Sequence, residues 1–294
     1  MFKLRVIAIP PIGKYTTPLR NTLKGLGFNL QEQMTLTRDM IDKGCKHSSE
    51  MMCFPFKATL GYFMEALDKG ANTLLMFDSN GQCRFRHYYI IQEHTLQNLG
   101  YKDFEMIPIR ANHMIKSFKR IDKNLTTFKI LKAFKRTWKE LKEIEKQTIK
   151  PKFNIGIIGE IYTVMEDSLN FNIEQKIKRA GMNPYNCVTM THFLRHYLIK
   201  DKYFKQGLKY FNGPLGGHGI QNVGYTLMLI EKKFDGIIWF RPLSCMPEQT
   251  VDPIIKSLCD KANIPLLVID IDETSAEANV ATRIETFFEL VQYK

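Results

Sequence analysis

Cys53 and Cys245 share a setting that invites thiolate chemistry. Each opens a Cys-x-Pro triplet, Cys53-Phe-Pro55 and Cys245-Met-Pro247, directly ahead of a stretch with helical character. Proline suits the first helical turn, where its missing N–H would have had no partner. A cysteine just before that turn meets unpaired backbone N–H groups and the positive end of the helix dipole, which favours thiolate over thiol and steadies an anionic metal cluster. Cys83, in Gly81-Gln-Cys83-Arg84, follows a predicted strand ending at Phe77, as Cys245 follows one ending at Phe240. Loops after strand C-termini are where open α/β sheets build their sites. The expectation is three thiols, from two domains, converging on one cleft.

Two metal chemistries are open to such a set. A structural zinc site wants four ligands at short spacings, whereas these cysteines are 30 and 162 residues apart and the chain holds no C-x-x-C pair. Iron–sulfur chemistry accepts dispersed thiolates and can leave one iron without a protein ligand, a reactive corner. A four-iron, four-sulfur cluster on three cysteines is the better fit; a double cubane fits less well, because only three of the six cysteines carry the motif setting. Cys45, eight residues before Cys53, lacks the Pro or Arg setting of the other three, so a fourth ligand or a redox neighbour is its lesser reading. Cys187 and Cys259 read as small buried hydrophobes.

Other residues gather around the same predicted strand ends. Gly216-Gly217-His218-Gly219 lacks the Lys-Ser/Thr of a P-loop. Its glycines either cradle an anion, or let backbone approach a cluster with His218 as donor, or make a tight turn before a helix beginning at Val223. Arg84 balances cluster charge; Lys57 does the same or is a solvated surface charge. Glu160 is a wall of the cleft or a helix-start acid. Glu248 has a sufficient explanation in the helix dipole, and Asp272-Glu273-Thr274 lines the cleft or is explained by helix capping from Thr274 or Ser275. The candidate catalytic groups are therefore His218, Glu248 and Glu273.

The elements that must position these groups alternate between strand and helix. Strands are expected over 5–9, 72–77, 104–109, 154–158, 236–240 and 265–270, with helices over 17–25, 56–67, 88–99, 171–180, 223–233, 248–262 and 282–292, and 194–211 mostly helical. This grammar predicts an α/β fold of two Rossmann-like (flavodoxin-like) parallel-sheet domains. Between them, 113–148 contains no Gly or Pro and repeats apolar residues in steps of three and four, as amphipathic helices do. The expected division is 1–112, a basic helical connector over 113–150, and 151–294.

The 294 residues are 44% hydrophobic and 24% charged, which excludes a largely disordered chain. No apolar run approaches the 18–20 residues of a membrane helix, and the opening Met1-Phe-Lys-Leu-Arg-Val-Ile-Ala-Ile-Pro10 stretch, of strand length and without a small-residue cleavage site, reads as a first strand rather than a signal peptide. The expectation is a cytoplasmic protein with no membrane. Residues 110–152 carry 14 Lys and Arg against 4 Asp and Glu, so a local net of +10 accounts for nearly all of the formal +12. Without a helix-turn-helix, stacking platform or zinc finger, nucleic acid is disfavoured. The segment is either a solvated face or the docking face for an acidic protein partner, which a concentrated basic surface steers.

Several segments occur in a recognisable order: Cys53-Phe-Pro-Phe-Lys57 with Leu60-Gly61, Gly81-Gln-Cys83-Arg84, Gly216-Gly-His-Gly219, Tyr225, Phe234-Asp-Gly-Ile-Ile238, Pro242, Ser244-Cys-Met-Pro-Glu248, Asp272-Glu-Thr274, Glu277 and Thr282-Arg-Ile-Glu285. The chain resembles the 2-hydroxyacyl-CoA dehydratase/benzoyl-CoA reductase superfamily, in its stand-alone acyl-CoA dehydratase activase-related branch. The resemblance implies Cys53, Cys83 and Cys245 as ligands of an iron–sulfur cluster. It also implies low-potential electrons from an ATP-dependent activator-type iron–sulfur protein, and a small-molecule or acyl-CoA substrate. Phosphate-binding motifs of the activator itself are absent, so the chain is expected to accept electrons, as an iron–sulfur reductase or dehydratase-like component. The competing readings are a non-enzymatic scaffold of the same fold and an acyl-CoA-binding protein using the glycine-rich loop; a homodimer is the assembly to be looked for.

Overall fold

A computed structural model describes residues 4–78, 83–110, 113–150, 152–198, 202–213 and 215–293. The chain divides into two compact units, 1–145 and 146–294.

The first unit runs β1 (Ile7–Ala8), α1 (Thr16–Gly25), α2 (Arg38–Lys46), α3 (Phe54–Asp68), β2 (Thr73–Asp78), a 3-10 turn (Arg84–His87), α4 (Tyr88–Asn98), β3 (Glu105–Arg110), α5 (Met114–Ile121) and α6 (Thr127–Ile144). Its strands pair in parallel in the order β1-β2-β3, with Ile7 opposite Thr73 and Thr73 opposite Glu105. Ile7, Leu75 and Ile107 face one layer, where Leu23 of α1, Leu26 just beyond it, Phe118 and Ile121 of α5 and Ile130 of α6 close a core. The basic helices α5 and α6 thus pack on this unit. Lys129 Nζ donates to the Leu26 carbonyl at 3.1 Å, and the hydroxyls of Thr137 and Thr22 share a hydrogen bond, so α6 runs antiparallel to α1.

Helix α3 is buried on nearly every side, as an apolar helix inside a unit must be. It lies against α2 at backbone distance. A Cβ on Gly44 would fall 1.8 Å from the Lys57 carbonyl oxygen, and one on Gly61 would fall 1.6 Å from that of Met40. Two glycines therefore fix this crossing, and it delivers the end of α2 to the start of α3.

The second unit runs β4 (Asn154–Gly159), α7 (Ile161–Met165), α8 (Ile173–Arg179), β5 (Asn183–Asn186), α9 (Met190–Leu198), α10 (Lys202–Leu208), α11 (Gly219–Glu231), β6 (Gly236–Pro242), α12 (Met246–Lys261), β7 (Leu266–Ile271) and α13 (Glu277–Tyr293). Its sheet is wholly parallel in the order β5-β4-β6-β7. Chain order reverses between β4 and β6, the switch point at which doubly wound sheets open a crevice beyond their strand C-termini. Ile237, Trp239, Val223, Leu229, Val251 and Ile255 form the core.

The α/β architecture with two parallel sheets is as the sequence predicts. Several elements lie outside the expected ranges, the short α7 among them. Strand β5 is Asn183-Pro-Tyr-Asn186, polar and proline-bearing, which only an edge position tolerates. Helix α2 holds Gly44 and five charged residues in nine, and tertiary packing rather than propensity sustains it. Helix α11 begins at Gly219, four residues before the expected start.

Candidate functional site

Cys53 is the residue ahead of α3 and Cys245 the residue ahead of α12, each with non-helical backbone (φ −59°, ψ 142° and φ −82°, ψ 100°) and proline in the first turn. Both are buried. Neither sulfur caps its own helix, so both stand in the positive field of the helix end. Cys83 heads the 3-10 turn and is partly exposed; Gly81 and Gln82 lie outside the described residues. Arg84 Nη1 donates to the Met51 carbonyl at 2.6 Å. The rings of Phe85 and Phe56 both pack edge-on against Tyr88, with centroids 5.1 Å apart in each pair. The Cys83 turn is thereby fastened to the segment that leads into Cys53. Just before it, Asp78 at the end of β2 is ion-paired with Arg110 at the end of β3.

In the second unit, two helix heads meet. A Cβ on Gly219 would fall 2.6 Å from the Pro247 carbonyl oxygen, so the first residue of α11 touches the first turn of α12. His218 and Cys245 are the residues ahead of these two helices. His218 is buried and its ring lies 5.6 Å from that of Tyr225.

Behind the heads lies Glu248, 1% exposed. Trp239 Nε1 donates to its Oε2 at 2.7 Å. Asn222 Nδ2 donates to both carboxyl oxygens at 2.9 Å and to the Gly159 carbonyl at 3.1 Å. One carboxyl group thus ties together β4, β6, α11 and α12. Burial pushes Glu248 up to about 8; Trp239 and Asn222 pull against this, and the nearby Glu160 carboxylate adds to it. Glu248 is consequently more than the surface helix-start acid that the dipole argument supplied: it is a buried acid, largely neutral at pH 7. Glu160 does start a helix, accepting from Tyr162 N at 3.2 Å and Thr163 N at 2.8 Å ahead of α7, and burial raises its pKa.

The remaining candidates separate. Lys57 is 2% exposed, with Nζ 3.2 Å from the Glu50 carbonyl that it donates to, so the solvated-charge reading does not hold. Glu273 is partly exposed, after β7. Capping of α13 by Thr274 or Ser275 is not what the structure has: α13 starts at Glu277, and both residues close a turn onto Asp272 Oδ1. Cys45 sits in the last turn of α2. Cys187 and Cys259 are core residues, and burial pushes the first thiol up strongly and the second to about 12. Sequence reasoning missed Asn222 and Trp239; nothing in their local spacing announces that they share a carboxylate.

Among the described residues, no group of three or more His, Cys, Asp and Glu stands together as the ligands of a metal ion would. Taken unit by unit, the donors are of the kind iron–sulfur chemistry uses: the first unit offers Cys53 at a proline-headed helix and Cys83 beside Arg84, and the second offers Cys245 at a proline-headed helix. A cavity of about 320 Å³ opens at the other end of the second sheet from Cys245, beside Phe234, Asp235, Ile264 and Pro265.

Two α/β units, each built on a parallel sheet and each with a cysteine ahead of a proline-headed helix, define a Rossmann-like protein. Residues 107–291, more than half of the chain, match the family model of the 2-hydroxyglutaryl-CoA dehydratase D-component, and the chain belongs to that family. No curated protein matches it. Among the described residues, no helix is long and apolar enough to cross a membrane.

Proposed function

We propose that this chain is a cytoplasmic iron–sulfur component of dehydratase type. In this reading Cys53, Cys83 and Cys245 hold one four-iron, four-sulfur cluster. An ATP-dependent activator-type iron–sulfur protein supplies it with low-potential electrons, and a small bound substrate, an acyl-CoA among the candidates, receives them. The observation that carries the reading is the repeated helix head, a buried cysteine with proline in the turn that follows, in a member of this family. Bound, the cluster would supply one-electron chemistry and an open iron at which a substrate oxygen can bind.

The chain's own groups have definable tasks. The heads of α3 and α12 favour the anionic form of their cysteines. Arg84 anchors the Cys83 turn and adds positive charge beside it. His218, ahead of α11, offers a ring donor at the helix head adjoining that of Cys245. Glu248 adds little negative charge at neutral pH, so the first turn of α12 does not oppose a thiolate.

Anaerobic reconstitution with iron and sulfide, metal counting and electron paramagnetic resonance test the proposal. About four irons per chain and a signal on reduction are expected, both lost in Cys83→Ser. A folded protein that takes up no iron sinks it.

A further inference from the structure

Helices α11 and α12 both end on the cavity of about 320 Å³, whose apolar wall is made by Ile230, Phe234, Ile264, Pro265 and Val291. That volume lies in the range of small-molecule sites. Each helix closes on it in the same way. Phe234 N donates to the Leu229 carbonyl and Ile264 N to that of Cys259, both at 3.0 Å, so the residue before each donor, Lys233 or Asn263, turns left-handed (φ 55° and 50°). Glycine makes this turn after α1, α3, α4 and α8, at Gly27, Gly70, Gly100 and Gly181. Asparagine tolerates it, whereas lysine adopts it only at a cost. Both residues line the cavity, and a side chain kept where glycine is easier points to a use for it.

Two opposite charges, Lys233 and Asp235, line the same space. Neither is ion-paired, with the other or with any described residue. The Asp235 carboxylate accepts from Asn154 N at 2.6 Å through Oδ2, which fixes its position and leaves Oδ1 for a ligand. A simple anion would meet the charge of Asp235 and a simple amine that of Lys233, so each is opposed by one wall. A zwitterion is opposed by neither.

The geometry points to a binding site for a free apolar α-amino acid at the tails of α11 and α12. Its carboxylate pairs with the Lys233 ammonium, its ammonium donates to Asp235 Oδ1, and its side chain lies against Phe234, Ile264 and Val291. Helix α11 is 13 residues long, about 20 Å, and His218 stands ahead of its far end, as Cys245 does for the longer α12. The occupant reaches neither residue and is a ligand separate from any substrate there.

L-Valine and L-phenylalanine are the probes, titrated calorimetrically into the full chain, with isobutylamine and isovalerate as valine lacking one charge each. At least one of the two amino acids should bind at one site per chain and raise the melting temperature, and isobutylamine and isovalerate should bind at least about tenfold more weakly than valine. Lys233→Asn removes the ammonium and suits the left-handed turn; Asp235→Asn keeps an acceptor for Asn154. Each, once shown to melt like the parent, should weaken binding about tenfold. Ala262→Trp, which fills the cavity from an exposed position on its wall, should abolish binding and decides the matter where a charge variant does not fold. The inference is overturned if neither amino acid binds, if Lys233→Asn or Ala262→Trp leaves the affinity unchanged, or if isobutylamine or isovalerate binds as tightly as valine. Iron has no part in this readout, so a chain that takes up no iron defeats the cluster reading alone.

Discussion

The guanidinium of Arg84 donates to the backbone carbonyl of Met51 at 2.6 Å, across 33 residues of sequence. This contact joins the residue after Cys83 to the residue two before Cys53. Two cysteines far apart in the chain are thus held by one charged donor and one carbonyl, which is a stronger bond than a neutral pair makes.

Arg84→Met should release the Cys83 turn. In iron-free protein, Cys83 should alkylate several-fold faster with iodoacetamide, read by mass spectrometry of the peptide, and reconstituted protein should lose iron faster to a chelator. Arg84→Lys should fall between. An unchanged alkylation rate would show that the turn is held by other means.

Glu248 makes stability depend on pH in a defined direction. Unfolded, it ionises near its ordinary 4.5; folded, near 8. The native chain therefore keeps a proton that the unfolded chain gives up, and this contribution is complete below about pH 4.5, declines as pH rises to about 8 and is then lost. The span corresponds to about 4–5 kcal/mol. Urea denaturation of Glu248→Gln should lack that decline. In a Trp138→Phe background, Trp239 fluorescence should titrate near pH 8, and not at all once Glu248 is replaced. A flat parental titration would refute the assignment.

Gly61→Ala should be more disruptive than an alanine in a helix normally is. The added carbon meets backbone at 1.6 Å, so α2 and α3 must separate, at about 3 kcal/mol or more. Thermal melting and protection of α3 amides from exchange would register it. A melting point within a degree of the parent would contradict the contact.

Cys259→Ala should leave iron content untouched while costing about 1–2 kcal/mol in unfolding free energy, since its thiol only fills space in the second core. Loss of iron in this variant, with the fold intact, would reassign the sulfur.

The parallel strands and the cysteine helix heads could be read from the chain, because apolar runs, Cys-x-Pro and strand-end glycines are local signals. What could not be read is what tertiary contact decides. Glu248 follows a cysteine and a proline as any helix-start acid would; only its enclosure between β6 and α11 removes it from water and raises its pKa, while Trp239 and Asn222 supply the hydrogen bonds that partly offset this. Lys57 has the type of a surface residue and is buried because α2 lies across it. Helix α2 itself is sustained by that crossing, and no periodicity in its nine residues declares it.

The burial of Cys187 and Cys259 has a consequence for how the chain meets metal. Their protons are held so firmly that, at neutral pH, an incoming iron or an oxidant finds almost no competing anionic sulfur there. These two sulfurs are therefore poor nucleophiles and poor ligands in the folded chain, kept so by desolvation alone.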